Sequence, residues 1–427
     1  MVISIFHIIW VAKTMHFKNI EISKWQQFEK ISIHFHDRLT ILTGANGCGK
    51  TTILNILAKH FGWEQPLLAT PRAEKLTGVI KYVQRFFMGE DTNKESVIGR
   101  ILYSNDHSAP LTIPQNDAAT YSIQISGQQG VKCFFIPSHR SVFRYQQVTS
   151  IPTIKKDRTN AFHEVSNTNR NRYFGSNDQP SSFYIKNTLI GWMIHGYGVK
   201  RGGVDVMPPD AEQVRHFEGF EQVLRKILPT TLGFQKIEIR NMEIVFVCNN
   251  SNDQFILETC SGGISSLIDI AWQIYMFSTK ENGEFTVLID EIENHLHPSL
   301  QRRLLQDLID AFPSARFIVS THSPLIVGSV KGSAVYALKH NAVGKIESVG
   351  LDFQGEPKTA TEILDEVLGV SFTMPVWVEE HLRKITNEYA SKPITENYFE
   401  DLRRDLKAIG MEKLLLTSMS TLLESRK

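Results

Sequence analysis

The apolar run LTILT (residues 39–43) leads without a break into GANGCGKTT (44–52) and then into a helical stretch ending near His60. A buried strand that breaks into closely spaced glycines and restarts as a helix leaves a row of main-chain N–H groups facing one concavity. Glycines permit that backbone path, and the helix start adds the positive end of its dipole. Such a loop cradles phosphate. Gly44, Asn46, Gly47, Cys48, Gly49, Lys50, Thr51 and Thr52 are therefore the nucleotide-binding candidates. Lys50 can reach β- and γ-phosphates, and the Thr51 hydroxyl can ligand Mg²⁺. A strand–loop–helix unit of this kind belongs to an α/β fold.

Three further segments carry candidate chemistry. VLIDE (287–291) is an apolar strand ending in two acids, which a buried strand tolerates where a cation and water receive them. Asp290 is the expected second ligand of Mg²⁺, and Glu291 the group that orients or deprotonates an attacking water. ETCSGG (258–263) opens an apolar helix with Ser261 at the N-cap and exposed N–H groups at Gly262 and Gly263. Taken alone, that segment reads as a plain capped helix. Beside a loop that already holds its own nucleotide, it would serve the γ-phosphate held by a second copy. STHSP (320–324) ends another strand and offers His322 as a γ-phosphate contact. Glu293, His295 and His297 alternate, but they link the acidic strand to a helix and suit a loop at a subunit contact better than a metal site.

The remaining texture is uneven. Residues 17–22 and 31–35 alternate as half-buried strands do, and residues 101–103, 121–125 and 131–136 are further strand candidates, together suggesting an antiparallel sheet beside the nucleotide-binding core. Residues 236–248 and 254–258 read as a hairpin turning at 249–253. Helical spacing marks residues 264–275 and 298–312, and the chain reads as helical from Lys358 onward, with Ile363, Leu364, Val367 and Leu368 on one face. Between them, periodicity fades. Residues 138–202 hold ten Lys/Arg against three acids, interleaved with aromatics such as Phe143, Tyr145 and Tyr173. Such an insertion could contact DNA, or it could be a solvated loop whose charges have no specific purpose.

Composition excludes little but narrows the setting. Lys plus Arg number 46 against 45 acids, a net charge of +1, so the whole surface favours no polyanion. Four cysteines lie far apart without a CxxC pair, which suits a reducing, cytoplasmic compartment. Residues 2–12 are apolar yet too short to span a bilayer and lack a basic start. Residues 1–14 are read as a start-site extension with Met15 opening the chain, and no membrane partner is expected.

In order, GANGCGKTT, ETCSGG, VLIDEIENHLHP and STHSP resemble the Walker A, signature, Walker B with D-loop, and H-loop segments of ABC-type ATPases of the SMC, RecF and OLD families. The resemblance covers residues 15–140 and 236–340. It implies an ABC-type P-loop ATPase head with a mixed central sheet, an antiparallel β subdomain, an inserted α-rich subdomain and a helical C-terminal tail. The implied boundaries are 15–140 for the N-terminal half of the head, 141–235 for the insertion, 236–350 for the C-terminal half and 351–427 for the tail. The cofactors implied are ATP and Mg²⁺, with Glu291 and His322 catalytic and Ser261, Gly262 and Gly263 closing on the nucleotide of a second copy. The ENHLHP continuation and tail look most like the ATPase subunits of Septu and PARIS anti-phage systems, which implies a sensor or scaffold working with a separate effector such as a nuclease. A RecF-like repair ATPase is the alternative, and a transporter subunit fits less well. No coiled-coil arm and no Toprim acidic cluster is present in the sequence. Gln146 and Gln147 are candidates for the glutamine loop, and Pro137-Ser-His-Arg140 resembles the related segment of OLD-like ATPases.

Overall fold

The computed structural model describes residues 14–73, 80–83, 95–114, 118–176, 179–352, 358–366, 376–393, 395, 397–408, 410–415 and 419. The expected start-site extension lies outside these residues except for Thr14, as do Val367 and Leu368 of the expected tail stripe.

Among the described residues, eleven strands form one sheet. In chain order they are β1 (Phe17–Trp25), β2 (Phe28–His34), β3 (Leu39–Gly44), β4 (Glu95–Tyr103), β5 (Ser108–Pro114), β6 (Gln124–Ile125), β7 (Cys133–Ile136), β8 (Phe285–Ile289), β9 (Ala315–Thr321), β10 (Ala334–His340) and β11 (Ile346–Leu351). The spatial order is β6-β5-β4-β1-β2-β11-β10-β3-β9-β8-β7. From β10 to β7 all neighbours are parallel, and every residue of β3, β7 and β8 is buried, as strands covered on both faces must be. From β6 to β2 the neighbours are antiparallel, and β1 alternates buried and exposed positions. The antiparallel strands are thus not a separate sheet beside the core. β11 joins them to it, antiparallel to β10 and parallel to β2.

Helix α1 (Lys50–Ala58) follows β3 and buries Ile53, Leu54 and Leu57. The segment where periodicity fades folds into three helices, α2 (Arg158–Tyr173), α3 (Ser181–Tyr197) and α4 (Ala211–Ile227). They pack with α5 (Gly262–Phe277), where Trp192 stacks on Trp272 at 5.7 Å and Phe220 meets Trp272 edge-on at 4.8 Å. The insertion is therefore packed structure rather than a solvated loop. Helix α6 (Pro298–Ala311) starts with proline at its first turn, where no amide donor is needed.

The expected hairpin is a three-stranded meander. Phe234–Arg240 and Glu243–Cys248 turn at Asn241 and Met242, both at positive φ, and Asp253–Ile256 adds the third strand. Two consecutive left-handed residues make the tight turn that matches strand twist. The cysteines are free thiols, and no helix among the described residues is long and apolar enough to cross a membrane.

The described residues up to Ile363 form one compact unit, and those from Leu364 onward a second. In the second, the helices Val376–Ser391 and Tyr398–Ala408 enclose a small core of Leu382, Tyr389, Tyr398, Leu402, Leu406 and Met411.

Candidate functional site

The site collects at the carboxyl ends of the parallel strands, where open α/β sheets leave a crevice. β3 delivers the glycine loop. A Cβ on Gly44 would stand 2.4 Å from the Leu338 carbonyl oxygen, and one on Gly49 would stand 2.3 Å from the Phe28 ring; both residues also sit at positive φ. Only glycine fits there. Ala45, Asn46 and Gly47 form an exposed lip, whereas Cys48 is buried beneath it. Lys50 is buried, and its Nζ donates to the carbonyls of Gly44 at 2.9 Å and Ala45 at 3.1 Å while lying 3.4 Å from His322 Nδ1.

The first turn of α1 meets the end of β8. Thr51 Oγ1 donates to the Asp290 carboxylate at 2.9 and 3.1 Å, and Ser320 Oγ at the end of β9 donates to it at 2.5 Å. Burial raises the Asp290 pKa above the ordinary carboxylate value, with Ser320 and Thr51 pulling it back. A buried carboxylate beside a hydroxyl suits a small, hard cation that takes one or two protein ligands and completes its shell with water and phosphate. Thr51 and Asp290 therefore fit Mg²⁺. Thr51 and Thr52 also line a cleft of about 200 Å³ with Asn55, Gln65 and Tyr173.

Glu291 follows at φ 45°, a left-handed conformation rare for a non-glycine residue. Its N–H donates to Ser320 Oγ at 2.8 Å, and its carboxylate accepts from Asn294 Nδ2 at 2.8 Å. His322 Nε2 lies 3.8 Å from Glu291 Oε1. Burial, with Lys50 beside it, lowers the His322 pKa, so the ring is neutral near pH 7. The three alternating residues of the following loop separate. Glu293 accepts from the His322 N–H at 2.5 Å, His297 caps α6, and His295 is exposed at φ 68°.

Ser261, Gly262 and Gly263 stand apart from this cluster. Ser261 caps α5 by accepting from the Ile264 N–H, and a Cβ on Gly263 would come within 3.0 Å of the His295 carbonyl. Ser261 and Gly262 are exposed.

Several contributors lie within the quoted segments but had no role read from them. Ser320 braces both acids, Asn294 holds Glu291, and the buried Arg140 donates to the carbonyls of Asp290 and Glu291. Gln146 instead offers its carbonyl to Lys186, while Gln65 lines the Thr51 cleft. The usable signal was position: Ser320 and Arg140 lie at, or shortly after, the carboxyl end of a parallel strand.

The family described as "AAA domain, putative AbiEii toxin, Type IV TA system" matches residues 39–328. The chain is 23% identical over 404 residues to "Septu protein PtuA" of Bacillus thuringiensis, covering 90% of this chain and 92% of that protein. It is 25% identical over 196 residues to "Retron Ec83 probable ATPase" of Escherichia coli, covering 44% of this chain and 34% of that one. Among solved structures, the SMC head domain from Thermotoga maritima is similar over 79% of this chain and 99% of that one, at 14% identity and a TM-score of 0.39.

Proposed function

The chain belongs to this AAA-domain family, and we propose that it binds and hydrolyses ATP as a dimer closed around two nucleotides, acting as a sensor or scaffold in an anti-phage defence system with a separate effector protein. One observation carries the enzymatic part: Lys50, Thr51, Asp290, Glu291 and His322 converge, at hydrogen-bonding or near-contact distances, beside a glycine loop in which Gly44 and Gly49 admit no side chain. Loop amides and Lys50 would hold the phosphates. Thr51 and Asp290 would hold Mg²⁺, which supplies charge neutralisation at the β- and γ-phosphates. Glu291 is free to take the proton of a water, because Asn294 occupies only one of its oxygens. A neutral His322 can donate to the γ-phosphate from one ring nitrogen.

The dimer reading is supported by the exposure of Ser261 and Gly262 at a helix start that its own loop does not occupy. The defence reading is supported by the nearly end-to-end likeness to a protein named for the Septu system. That likeness favours it over a repair ATPase. The basic insertion lends DNA binding little support. Of its ten basic residues, Lys155 pairs with Asp210, Lys156 with Glu164 and Lys200 with Asp205, and Arg140, Arg158 and Lys186 are engaged inside the fold, while Arg144 and Arg201 stay exposed.

Steady-state hydrolysis of wild type and Glu291→Gln, each with and without duplex DNA, tests the proposal. The variant is expected to bind ATP but turn it over at least about 100-fold more slowly, and DNA to leave both rates unchanged. Wild-type turnover by Glu291→Gln would remove the assignment.

A further inference from the structure

Arg140 lies four residues beyond the end of β7 and is buried between the acidic strand's turn and helix α5. Nη1 donates to Ser266 Oγ at 2.9 Å and to the Asn294 carbonyl at 3.3 Å. Nη2 donates to the carbonyls of Glu291 at 3.0 Å and Asp290 at 3.3 Å. A buried guanidinium must have its donors met. Here the acceptors of the two terminal nitrogens are three main-chain carbonyls and one hydroxyl, so the planar fork fixes backbone, while the buried Asp269 carboxylate offsets part of its charge.

The backbone it fixes needs fixing. Glu291 is held at φ 45°, which a non-glycine residue keeps only where its surroundings enforce it. Asn294 closes the same turn by donating to the Glu291 carboxylate at 2.8 Å and to the Ser138 carbonyl at 3.2 Å, two residues before Arg140. On the other side, Ser266 belongs to the first turns of α5, whose Gly263 abuts the His295 carbonyl of this loop. The exposed start of α5 and the acid turn are therefore joined by the guanidinium and by Ser266 Oγ, which also donates to the Asn294 carbonyl at 3.4 Å.

We propose that Arg140 is a positioning residue for Glu291, clamping the Asp290–Asn294 turn to Ser266 so that the carboxylate is aligned only while helix α5 is seated. This rests on the reading of Glu291 as the hydrolytic carboxylate. It also assigns a route by which a phosphate engaging Ser261 and Gly262 would reach the acid: through α5, Ser266 and the guanidinium, without touching the glycine loop.

The test is the kcat and KM for ATP of full-length Arg140→Lys and Ser266→Ala, with nucleotide-binding stoichiometry per folded chain and Glu291→Gln alongside. Lysine keeps the charge but not the fork. Arg140→Lys is expected to lose about 10- to 100-fold in kcat, and Ser266→Ala about 3- to 10-fold, with KM within about threefold and full stoichiometry. If Arg140→Lys fails to fold, Ser266→Ala decides alone. Wild-type kcat in the folded variants, or kcat falling only in proportion to stoichiometry, overturns the proposal while Glu291→Gln remains slow. A Glu291→Gln enzyme with wild-type turnover removes the underlying reading instead.

Discussion

His60 shows how one side chain records the packing around it. It follows α1, with Nε2 2.7 Å from the Tyr103 hydroxyl and Nδ1 2.9 Å from the Leu57 carbonyl, and burial pushes its pKa down to about 4. The unfolded chain takes up that proton near pH 6.5, and the folded chain refuses it. Stability is therefore intact above about pH 6.5 and is lost as pH falls toward 4, by at most about 3 kcal/mol at about 1.4 kcal/mol per unit. His60→Gln should flatten this part of the profile, which thermal melts of both proteins across that window will read; parallel profiles would refute it. At this scale the phosphate loop was legible because its chemistry demands fixed residue types at fixed spacing. The role of Arg140 was not, although residues 137–140 stood out by resemblance, because its partners are mostly main-chain carbonyls far along the chain and nothing in a sequence marks a carbonyl as an acceptor.

At the scale of elements, α3 is anchored by an ion cluster. Lys186, fully buried, donates to Glu258 at 3.0 Å, to the Gln146 carbonyl at 3.1 Å and to Glu243. Burial alone would lower its pKa, yet the two carboxylates hold it above the ordinary lysine value. Glu258 lies three residues before Ser261, so the inserted helix grips the segment that leads into α5. Lys186→Met leaves two carboxylates stranded and should cost about 3–5 kcal/mol in urea unfolding. Adding Glu243→Gln and Glu258→Gln should recover much of that; a triple variant no more stable than the single one would contradict the account. The parallel strands were readable from their apolar runs, as Phe285–Ile289 shows. Helices α2 and α3 were not. Polar residues such as Asn169, Ser182 and Lys186 are buried on them, so no apolar stripe signals which face turns inward.

For the molecule as a whole, the decisive question is whether two copies complete one another. Ser261→Arg and Lys50→Ala should each abolish hydrolysis. Mixed in equal amounts, half of the dimers would pair the two lesions, leaving one of two sites intact, so activity should return to about a quarter of wild type. Hydrolysis by Ser261→Arg alone, or no recovery on mixing two folded proteins that exchange subunits, would exclude a shared site. The strand that delivers the phosphate loop is laid down by residue 44, but both of its neighbours come from residues 315–340. While the chain is being made, that strand waits with both edges bare until residues 315–340 have emerged. A growing or prematurely ended chain holds the loop residues without the walls that shape them, so the ability to grip nucleotide arrives late and all at once.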